Sequence, residues 1–552
     1  MDEIRKEILH GDDILPCIYE LPSDLFDCLV THLPPLALQN LQELPFNNQD
    51  DHESDIDCFR NCRKRKRYVD FETAWRRLYN SRWPGPVRQN QPVDWLANQG
   101  VTNNDSTSDW QQMYWETHLQ NCLDEAAEIA LLPSFDGCIG EIKIPVAIIK
   151  SIGYEEHASH LTCDYSKLSY HCQKFGFYTR CLRLQNVLCT AETCNLLRNS
   201  RLQGLELRWI KSKEHVEGLC KFLNQNSETL TSLEFIHCKL SATFVDAICD
   251  ALHMKGLQTH GIQHFSIKIS SFLETDTFSL PDGLASFLSS GRHLSSLSFY
   301  LSENNIAGWL FHFKWRSSSC SQSSVGIGKS LQSLRVLNLR GNNLDKDDVD
   351  SLAYALVYMP NLEILDISDN PIEDDGIRSL IPYFVEMSRR QSHFAGLKLE
   401  NNDLGSKVGA PLGKILGTGI QVLDIEDIGL GSSGFLEIRK EIMEELKLVY
   451  INISKNRGGT ETAKFLSKLI SHAPDLIVVN AAYSFMPVVS LSIICSALKV
   501  AKGKLEQLDL TGNNWCDQPV NASVLAEFQI NGKPIVILPS LPASNAPYDD
   551  DP

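Results

Sequence analysis

A pattern of apolar and polar positions, L-x-x-L-x-L-x-x-N, recurs through the C-terminal two-thirds of the chain. Its clearest copies read LRVLNLRGN at 334–342, LEILDISDN at 362–370 and LEQLDLTGN at 505–513. In each copy the alternation L-x-L predicts a short strand whose two leucines point to the same, buried side. The Asn that ends the pattern can bond backbone groups where the chain turns, so successive copies predict a ladder of asparagines.

The copies follow one another at a regular distance. The series begins near Leu182, and its middle apolar residues are then Leu205, Leu233, Phe265, Leu297, Leu337, Leu365, Leu397, Leu423, Ile451, Val479 and Leu508. From Leu205 onward the steps are 26 to 32 residues, apart from one step of 40 between Leu297 and Leu337. We therefore predict about twelve repeats over residues 181–540.

A step near 28 residues leaves room for a helix between successive strands. The segment from Asp347 to Met359 is one example, with Val349, Leu352, Leu356 and Val357 on its inner face. One such unit cannot bury its own apolar side, whereas stacked neighbours can. The pattern thus predicts an α/β solenoid, a horseshoe with a parallel β-sheet on its concave face and helices outside.

These units resemble the leucine-rich repeats of ribonuclease inhibitor. The resemblance implies an array that binds another macromolecule. The long step between repeats holds Trp309, Trp315 and the serine-rich run 317–324, which we interpret as a surface loop. Residues 535–538 are predicted to form a closing strand, and the acidic residues 541–552 a disordered tail.

A different pattern occupies the N-terminal region. Leu21 and Pro22 open a predicted helix in which Leu25, Leu29 and Leu33 recur at every fourth position. This segment resembles the first half of an F-box, the helical module that docks on the Skp adaptor of cullin-RING ubiquitin ligases. The resemblance implies an adaptor-docking region over residues 15–130, with these five residues as its contacts.

The second half of this region departs from an F-box. A polar and basic insertion at 47–67 precedes the helical pattern Phe71–Tyr79, and Trp110–Trp115 follows later. This divided layout looks more like elongin A, whose relatives bind elongin BC through a BC-box. The nearest match to a BC-box is Leu168–Cys172. A plain alternative is that 15–130 is a helical cap for the first repeat, with 131–180 as a junction.

The composition excludes some classes of partner and of cellular location. The net charge of -18 argues against nucleic-acid binding, which needs a basic surface. The most apolar stretch, Leu476–Ala501, is interrupted by polar residues and matches a repeat, so no membrane span is expected. Several of the 17 cysteines, such as Cys249 and Cys495, occupy positions suited to buried thiols of a reducing compartment. We expect the nucleus, the cytoplasm or both.

One basic run stands out in the acidic chain. It consists of Arg63, Lys64, Arg65, Lys66 and Arg67. Such a run is typical of a nuclear localisation signal. The alternative interpretation is a solvated loop.

The sequence contains only weak motifs for nucleotide binding, metal binding or catalysis. Gly326–Ser330 ends like a phosphate-binding loop, but Ser323 replaces the glycine that the motif needs. Five possible zinc ligands lie close together, namely His157, His160, Cys163, His171 and Cys172. Their spacing matches no closed zinc site, so packed or exposed junction residues are the favoured interpretation. We expect no catalytic centre, no metal and no cofactor.

The predicted concave face suggests where a partner binds. The residue between the two leucines of each strand should point outward, and so should the residue two positions further along. Both sets of positions have more acidic than basic residues toward the C-terminal half. The candidate substrate-binding residues are Glu206, Glu234, Asp366, Glu400, Asp424, Glu426 and Asp509. They predict a protein partner with a basic segment, although exposed strand positions also need polar residues for solubility alone. The candidate aromatic anchors are Trp209, Trp309 and Trp315, with packing in the core as the alternative interpretation.

These observations favour a substrate-recognition subunit of a cullin-RING ubiquitin ligase. Its N-terminal region would bind a Skp-type or elongin BC adaptor and, through it, a cullin, while the repeats would bind a protein substrate. The principal alternative is a repeat scaffold or inhibitor with no attachment to a ligase.

Overall fold

The computed structural model describes most of the repeats and much of the N-terminal region. The described residues are 21–43, 71–84, 109–154, 164–211, 216–252, 260–273, 283–284, 287–288, 293–301, 306, 310, 331–389, 393–501, 503–514, 528–530, 533–534 and 536–537. They fall in two units, Met1–Leu233 and Glu234–Pro552. The predicted insertion 47–67, the basic run, the tail and the serine-rich loop lie outside the described residues.

The first unit begins with helices. They are α1 (Ser23–His32), α2 (Pro35–Glu43), α3 (Phe71–Arg82), α4 (Trp110–Ala130), α5 (Val146–Ser151) and α6 (Leu168–Phe175). Pro22 precedes the first residue of α1, where the missing backbone N–H of proline costs no hydrogen bond. The side chain of Asp109 caps α4 by accepting a hydrogen bond from the Gln112 N–H at 2.9 Å.

A buried aromatic cluster holds these helices together. Trp75 of α3 contacts Trp115 of α4 edge to face, and Trp115 stacks on Phe175 of α6 with ring centroids 4.1 Å apart. Leu29 and Leu33 of α1 belong to the same core. Each fully buried side chain of this size contributes about 2 kcal/mol of hydrophobic stabilisation, so α1 is anchored by the residues that the sequence predicts on its apolar face.

Two repeats complete the first unit. They consist of β1 (Cys181–Gln185), α7 (Ala191–Leu196), β2 (Gly204–Arg208) and α8 (Val216–Asn226). The two strands are parallel, with Leu182 opposite Leu205 and Leu184 opposite Leu207. The next strand, β3 (Ser232–Ile236), spans the boundary between the units.

Helix α4 covers the open edge of β1. The Gln120 side chain accepts a hydrogen bond from Arg183 N–H at 2.8 Å and donates one to Arg183 C=O at 2.9 Å. The Glu116 carboxylate accepts from the N–H groups of Arg180 and Cys181 at 2.7 and 2.8 Å. These side chains supply the bonds that a neighbouring strand would make, so α4 serves as a cap for the first repeat.

The second unit continues the alternation of strand and helix. Its strands after β3 are β4 (Lys239–Ser241), β5 (His264–Leu273), β6 (Ser296–Leu301), β7 (Val336–Asn338), β8 (Ile364–Asp366), β9 (Gly396–Lys398), β10 (Val422–Asp424), β11 (Tyr450–Asn452), β12 (Val478–Asn480), β13 (Gln507–Asp509), β14 (Gln529–Ile530), β15 (Lys533–Pro534) and β16 (Val536–Ile537). Its helices are α9 (Ala242–Leu252), α10 (Lys346–Leu356), α11 (Asp374–Arg389), α12 (Gly409–Leu416), α13 (Gly431–Glu441), α14 (Thr460–His472) and α15 (Val489–Val500).

The strands pair in the register that the periodicity predicts. From β5 through β13 the repeat strands are parallel neighbours, and the middle apolar residue of each lies opposite that of the next, as Leu337 does to Leu365. β4 pairs with β5, and β16 pairs with β13, as expected for a closing strand. The α/β leucine-rich-repeat fold is thereby confirmed.

Helix α10 is close to its prediction but shorter. Val349, Leu352 and Leu356 are fully buried, as the spacing predicts. Val357 is 63% exposed, so its predicted place on the inner face is wrong. The helix ends at Leu356, and the next residue has left the buried stripe. At the other end Asp345 and Asp348 form a capping box that fixes the first turn.

The predicted asparagine ladder is present. Asn370 Oδ1 accepts hydrogen bonds from the Asn342 and Leu344 N–H groups of the preceding repeat, each at 3.0 Å. Asn402 Oδ1 accepts from Asn370 N–H at 2.7 Å, which carries the ladder one repeat further. These asparagines are buried. Each therefore satisfies backbone groups that would otherwise be buried without partners.

The most apolar stretch of the sequence forms part of the repeats. Residues 476–501 contain β12 and α15. Among the residues that the structure describes, no helix has the length and apolar character to cross a membrane. The expected buried thiols are found at Cys249 and Cys495, neither of which is in a disulfide.

Candidate functional site

The three candidate aspartates, which end strands β8, β10 and β13, form hydrogen bonds to their own chain. Asp366 accepts from Ser368 N–H at 3.1 Å, Asp424 from Glu426 N–H at 3.2 Å, and Asp509 from Thr511 N–H at 2.9 Å. Asparagines do the same in other repeats, at positions Asn338, Asn452 and Asn480. The shared task of this position is to hold the turn that follows each strand.

Two of these aspartates are buried rather than exposed. Asp366 is 5% and Asp424 9% exposed, contrary to the expectation of outward-pointing side chains. Burial raises the pKa of Asp424 to about 6, and the negative charge of Glu400 acts in the same direction. The side chains turn back onto the backbone because the following N–H needs an acceptor. A partner can therefore reach these two carboxylates only in part.

Glu400 belongs to an ion-pair network that spans three repeats. Arg340 donates to both carboxylate oxygens of Glu400, at 2.7 and 3.1 Å, and to Asp369 at 2.5 Å. Asn401 donates to the other oxygen of Asp369 at 2.8 Å. The guanidinium group is planar and has several donors, so it can hold both acidic residues in one arrangement.

Glu426 is held in a similar way. Lys455 Nζ lies 2.7 Å from one of its carboxylate oxygens, and Asn452 donates to the other at 2.8 Å. Although burial acts in the opposite direction, hydrogen bonds from Lys455 and Asn452 hold the pKa of Glu426 below its ordinary value. Glu426 is therefore ionised at neutral pH.

The remaining two candidates also have partners within their own units. Glu234 pairs with Lys268 at 2.5 Å and accepts from Ser266 at 3.2 Å. Glu206 pairs with Arg208. All seven predicted acidic residues thus interact with their own chain, so an incoming basic segment would compete with existing bonds.

An acidic excess nevertheless remains on the second unit. We define the charged strip as eight charged residues of β7–β11 and of the turns that follow these strands. Its members are Arg340, Asp366, Asp369, Lys398, Glu400, Asp424, Glu426 and Lys455. Five are acidic and three basic, which leaves two negative charges uncompensated. The predicted preference for a basic partner rests on this excess.

The sequence did not predict a column of strained residues beside the strands. In ten repeats the residue four places after the middle apolar position has a positive φ. These residues, the left-handed column, are Trp209, His237, Ile269, Gly341, Asp369, Asn401, Asp427, Lys455, Tyr483 and Gly512. Gly, Asn and Asp adopt this conformation at low cost, whereas other side chains lose on the order of 1 kcal/mol or more.

Three large apolar members of this column are exposed. Trp209 is 46%, Ile269 43% and Tyr483 55% accessible. Tyr483 adopts φ 51° although an asparagine there would cost less. Exposed aromatic side chains in strained backbone are typical of binding anchors. A signal was present in the sequence, because a fixed offset from each L-x-L pair identifies the column.

The predicted adaptor contacts divide into two groups. Pro22 is exposed and Leu25 is 59% exposed, whereas Leu21 is partly buried. Leu29 and Leu33 are buried in the core. They face inward because the apolar stripe of α1 packs on the aromatic cluster, so a direct contact with an adaptor is not open to them.

The BC-box match lies in the interior of its unit. Leu168 and Cys172 on α6 are both fully buried. A docking motif must present these side chains to its partner, so the structure does not support the elongin BC interpretation at this segment. The remaining candidates, Arg63–Arg67, His157, His160, Cys163, Trp309, Trp315 and Gly326–Ser330, lie outside the described residues.

A comparison with protein families agrees with the repeat architecture. A family model described as Leucine Rich repeat matches residues 330–353 and 358–380, which contain β7, β8 and most of α10. Among solved structures, an internalin (inlF) from Listeria monocytogenes is similar at 14% sequence identity and a TM-score of 0.31, over 67% of this chain and 88% of that chain. The chain carries leucine-rich repeats.

Proposed function

We propose that this protein is a substrate-recognition subunit of a cullin-RING ubiquitin ligase and is not itself an enzyme. In this proposal α1 docks on a Skp-type adaptor, and the repeats of the second unit bind a protein substrate. The single observation that carries the proposal is the exposed leucine on α1, Leu25, on a helix whose other leucines anchor it in the core.

The surface around Leu25 has the properties of a docking site. Pro22, Asp24 and Cys28 are exposed next to it along the chain. Leu29, one turn further along α1, and Leu33, which follows the helix, are buried in the core and hold α1 rigidly. A rigid apolar side chain with a polar rim gains affinity on burial without the cost of ordering a flexible segment.

The adaptor in this proposal is of the Skp type. The F-box resemblance concerns α1, whose exposed side is accessible, while the BC-box match on α6 is buried at Leu168 and Cys172. Residues Arg63–Arg67 would add nuclear import, which a reporter fused to this segment would test.

The substrate surface in this proposal lies on the second unit. Ile269 and Tyr483 offer exposed apolar anchors, and the charged strip offers two uncompensated negative charges. Together they favour a protein partner that has an apolar side chain and a basic segment. Repeat arrays commonly present extended surfaces of this kind for binding.

The test is co-purification with a matched pair of variants. Leu25→Asp should abolish recovery of the Skp-type adaptor and cullin from cells that express the tagged full chain. Burial of a leucine contributes about 2 kcal/mol, so a loss of tenfold or more is expected. Leu132→Asp is the control, because Leu132 is a similarly exposed leucine (53%) of the same unit. Equal recovery of adaptor with both variants would contradict the proposal.

A scaffold without ligase attachment is the second candidate. The observation that favours it is the cap on β1, since Glu116 and Gln120 already give the N-terminal helices a structural task. In that case the wild-type chain would recover a protein partner but neither adaptor nor cullin. The same co-purification distinguishes the two functions.

A further inference from the structure

Three side chains with soft or imidazole ligand atoms meet inside the first unit. His118 and Cys122 lie one helical turn apart on α4, and His171 lies on α6, where Cys172 follows it. All four side chains are 0% exposed. Cys172 is near enough to Cys122 to influence its ionisation.

The distances fit a single metal ion. His118 Nε2 lies 3.0 Å from His171 Nδ1, and Cys122 Sγ lies 3.7 Å from His118 Nε2. The ligand atoms of these three residues all lie within 4.8 Å of one another. In tetrahedral zinc, with Zn–N near 2.0 Å and Zn–S near 2.3 Å, ligand atoms are separated by about 3.3 to 3.6 Å.

A second hydrogen bond orients one of the imidazoles. His171 Nε2 lies 2.9 Å from the carbonyl oxygen of Tyr165, so this nitrogen carries the proton and donates. The lone pair of Nδ1 then points toward His118 and Cys122. Metal-ligating histidines commonly have this arrangement, because a backbone carbonyl on the outer nitrogen fixes both the tautomer and the ring plane.

The ionisation states suit a ligand set. Burial lowers the pKa of His171 to about 4, and burial also lowers the pKa of His118 well below its ordinary value. Both rings are therefore neutral, which is the form that binds metals. Burial raises the pKa of Cys122 and brings that of Cys172 to about 12, so without a metal both thiols keep their protons.

A hydrogen-bonded histidine pair is the alternative explanation. In such a pair His118 Nε2–H donates to His171 Nδ1, while Cys122 contributes only a weak contact at 3.7 Å. The other nitrogen of His118, Nδ1, is buried without a hydrogen-bond partner. This atom has no partner whether or not a metal binds Nε2, so it does not distinguish the two explanations. The histidine pair alone, however, gives no reason for the buried Cys122 thiol beside it.

We propose that this cluster is a structural zinc site. His118 Nε2, His171 Nδ1 and Cys122 Sγ are the three ligand atoms that the structure brings within 4.8 Å of one another. Cys172, the neighbour of His171 on α6, is the proposed fourth ligand of a His2Cys2 set, which is one of the closed sets found in structural sites. Binding of Zn²⁺ releases the protons of both thiols, and the two thiolates balance the charge of the ion. The site would fasten α6 to α4, the helix that caps β1.

The first test measures metal content. The full chain, purified in the presence of zinc and then dialysed extensively, should retain one Zn²⁺ per molecule by elemental mass spectrometry. Cys122→Ser and His171→Gln should lose it, whereas the buried cysteine controls Cys249→Ser and Cys495→Ser should keep it. A wild-type chain without stoichiometric zinc, or a Cys122→Ser variant that retains it in full, would overturn the site.

Cobalt identifies the ligands directly. When Co²⁺ replaces zinc in the wild-type chain, absorption bands of a tetrahedral ion with thiolate ligands should appear. Cys172→Ser should weaken the thiolate band while the ion stays bound. An unchanged spectrum for this variant would exclude Cys172 as the fourth ligand, and octahedral bands in the wild type would exclude the whole set.

A third measurement needs no variant and so avoids misfolded protein. Removal of zinc from the wild-type chain by a chelator should lower the midpoint of thermal unfolding by at least about 4 °C, because ligand binding stabilises the folded state. Added Zn²⁺ should restore it, and Mg²⁺ should not. Identical midpoints with chelator and with zinc would count against a structural role. This inference does not depend on the proposed function.

Discussion

Asp424 stabilises the turn after its strand, but its burial disfavours the ionised carboxylate. Its carboxylate caps the following turn, but burial raises its pKa to about 6, against about 3.9 in an unfolded chain. The folded protein therefore binds this proton more tightly than the unfolded one. The resulting contribution to stability is fully present below pH 4 and is lost as the pH rises through 6.

Replacement by asparagine should remove this dependence. Asp424→Asn keeps an acceptor for Glu426 N–H, as Asn452 and Asn480 do in their repeats. We expect the free energy of unfolding to rise at pH 8 by on the order of 2 kcal/mol and to change little at about pH 3.5, below the unfolded pKa. Denaturant unfolding at both pH values measures this. Asp509→Asn is the matched control, and equal effects of Asp424→Asn at both pH values would refute the explanation.

Tyr483 is the clearest single candidate for a partner anchor. Its backbone is left-handed and its ring is exposed, so folding alone would favour asparagine at this position. Tyr483→Asn should leave the thermal midpoint unchanged or slightly raised, while recovery of the protein partner falls tenfold or more. Asp427→Asn, at the equivalent position, should leave both unchanged. A large fall in stability with unchanged partner recovery would show that Tyr483 serves packing instead.

At the scale of elements, the asparagine ladder determines how one repeat supports the next. Asn456 Oδ1 accepts from the Ile428 and Leu430 N–H groups at 3.2 Å, and its Nδ2 donates to Ile425 C=O at 2.7 Å. The side chain therefore joins β11 to the turn of the preceding repeat. Few other contacts could replace these bonds, since the groups are buried.

Asn456→Ala should accordingly be costly. It removes this side chain's bonds to two N–H groups and three carbonyl groups in the interior, so the free energy of unfolding should fall by about 2–4 kcal/mol. Asn361→Ala is the control, because Asn361 is exposed and its side chain bonds one carbonyl oxygen at the surface. Denaturant unfolding compares the two variants. A similar loss for both would indicate that the ladder adds little to stability.

For the whole molecule, the sequence predicts local and periodic features well. The L-x-L pairs identify the repeat strands and their register, because a buried side chain every second residue is a local requirement. The asparagine ladder follows from the same repeat. Leu29 and Leu33 are also correctly assigned to an apolar helix face, although that face serves the core rather than an adaptor.

Features that depend on tertiary contacts cannot be predicted from the sequence pattern. Arg340 reaches Glu400, 60 positions away, because β7, β8 and β9 stack side by side in one parallel sheet. His118 and His171 meet although they are 53 positions apart in the sequence. The burial of Asp366 depends on a turn geometry that the alternation of polar and apolar residues does not reveal.

The side-chain bonds that α4 makes to β1 have a consequence for assembly. An uncovered first strand would offer its Arg183 N–H and C=O to any other strand, including that of a second copy. Gln120 and Glu116 occupy these groups, so lateral growth of the sheet stops at this end. A fragment that begins at Cys181 would lose this barrier and be prone to edge-to-edge aggregation, so the repeats need their helical neighbour to remain separate molecules.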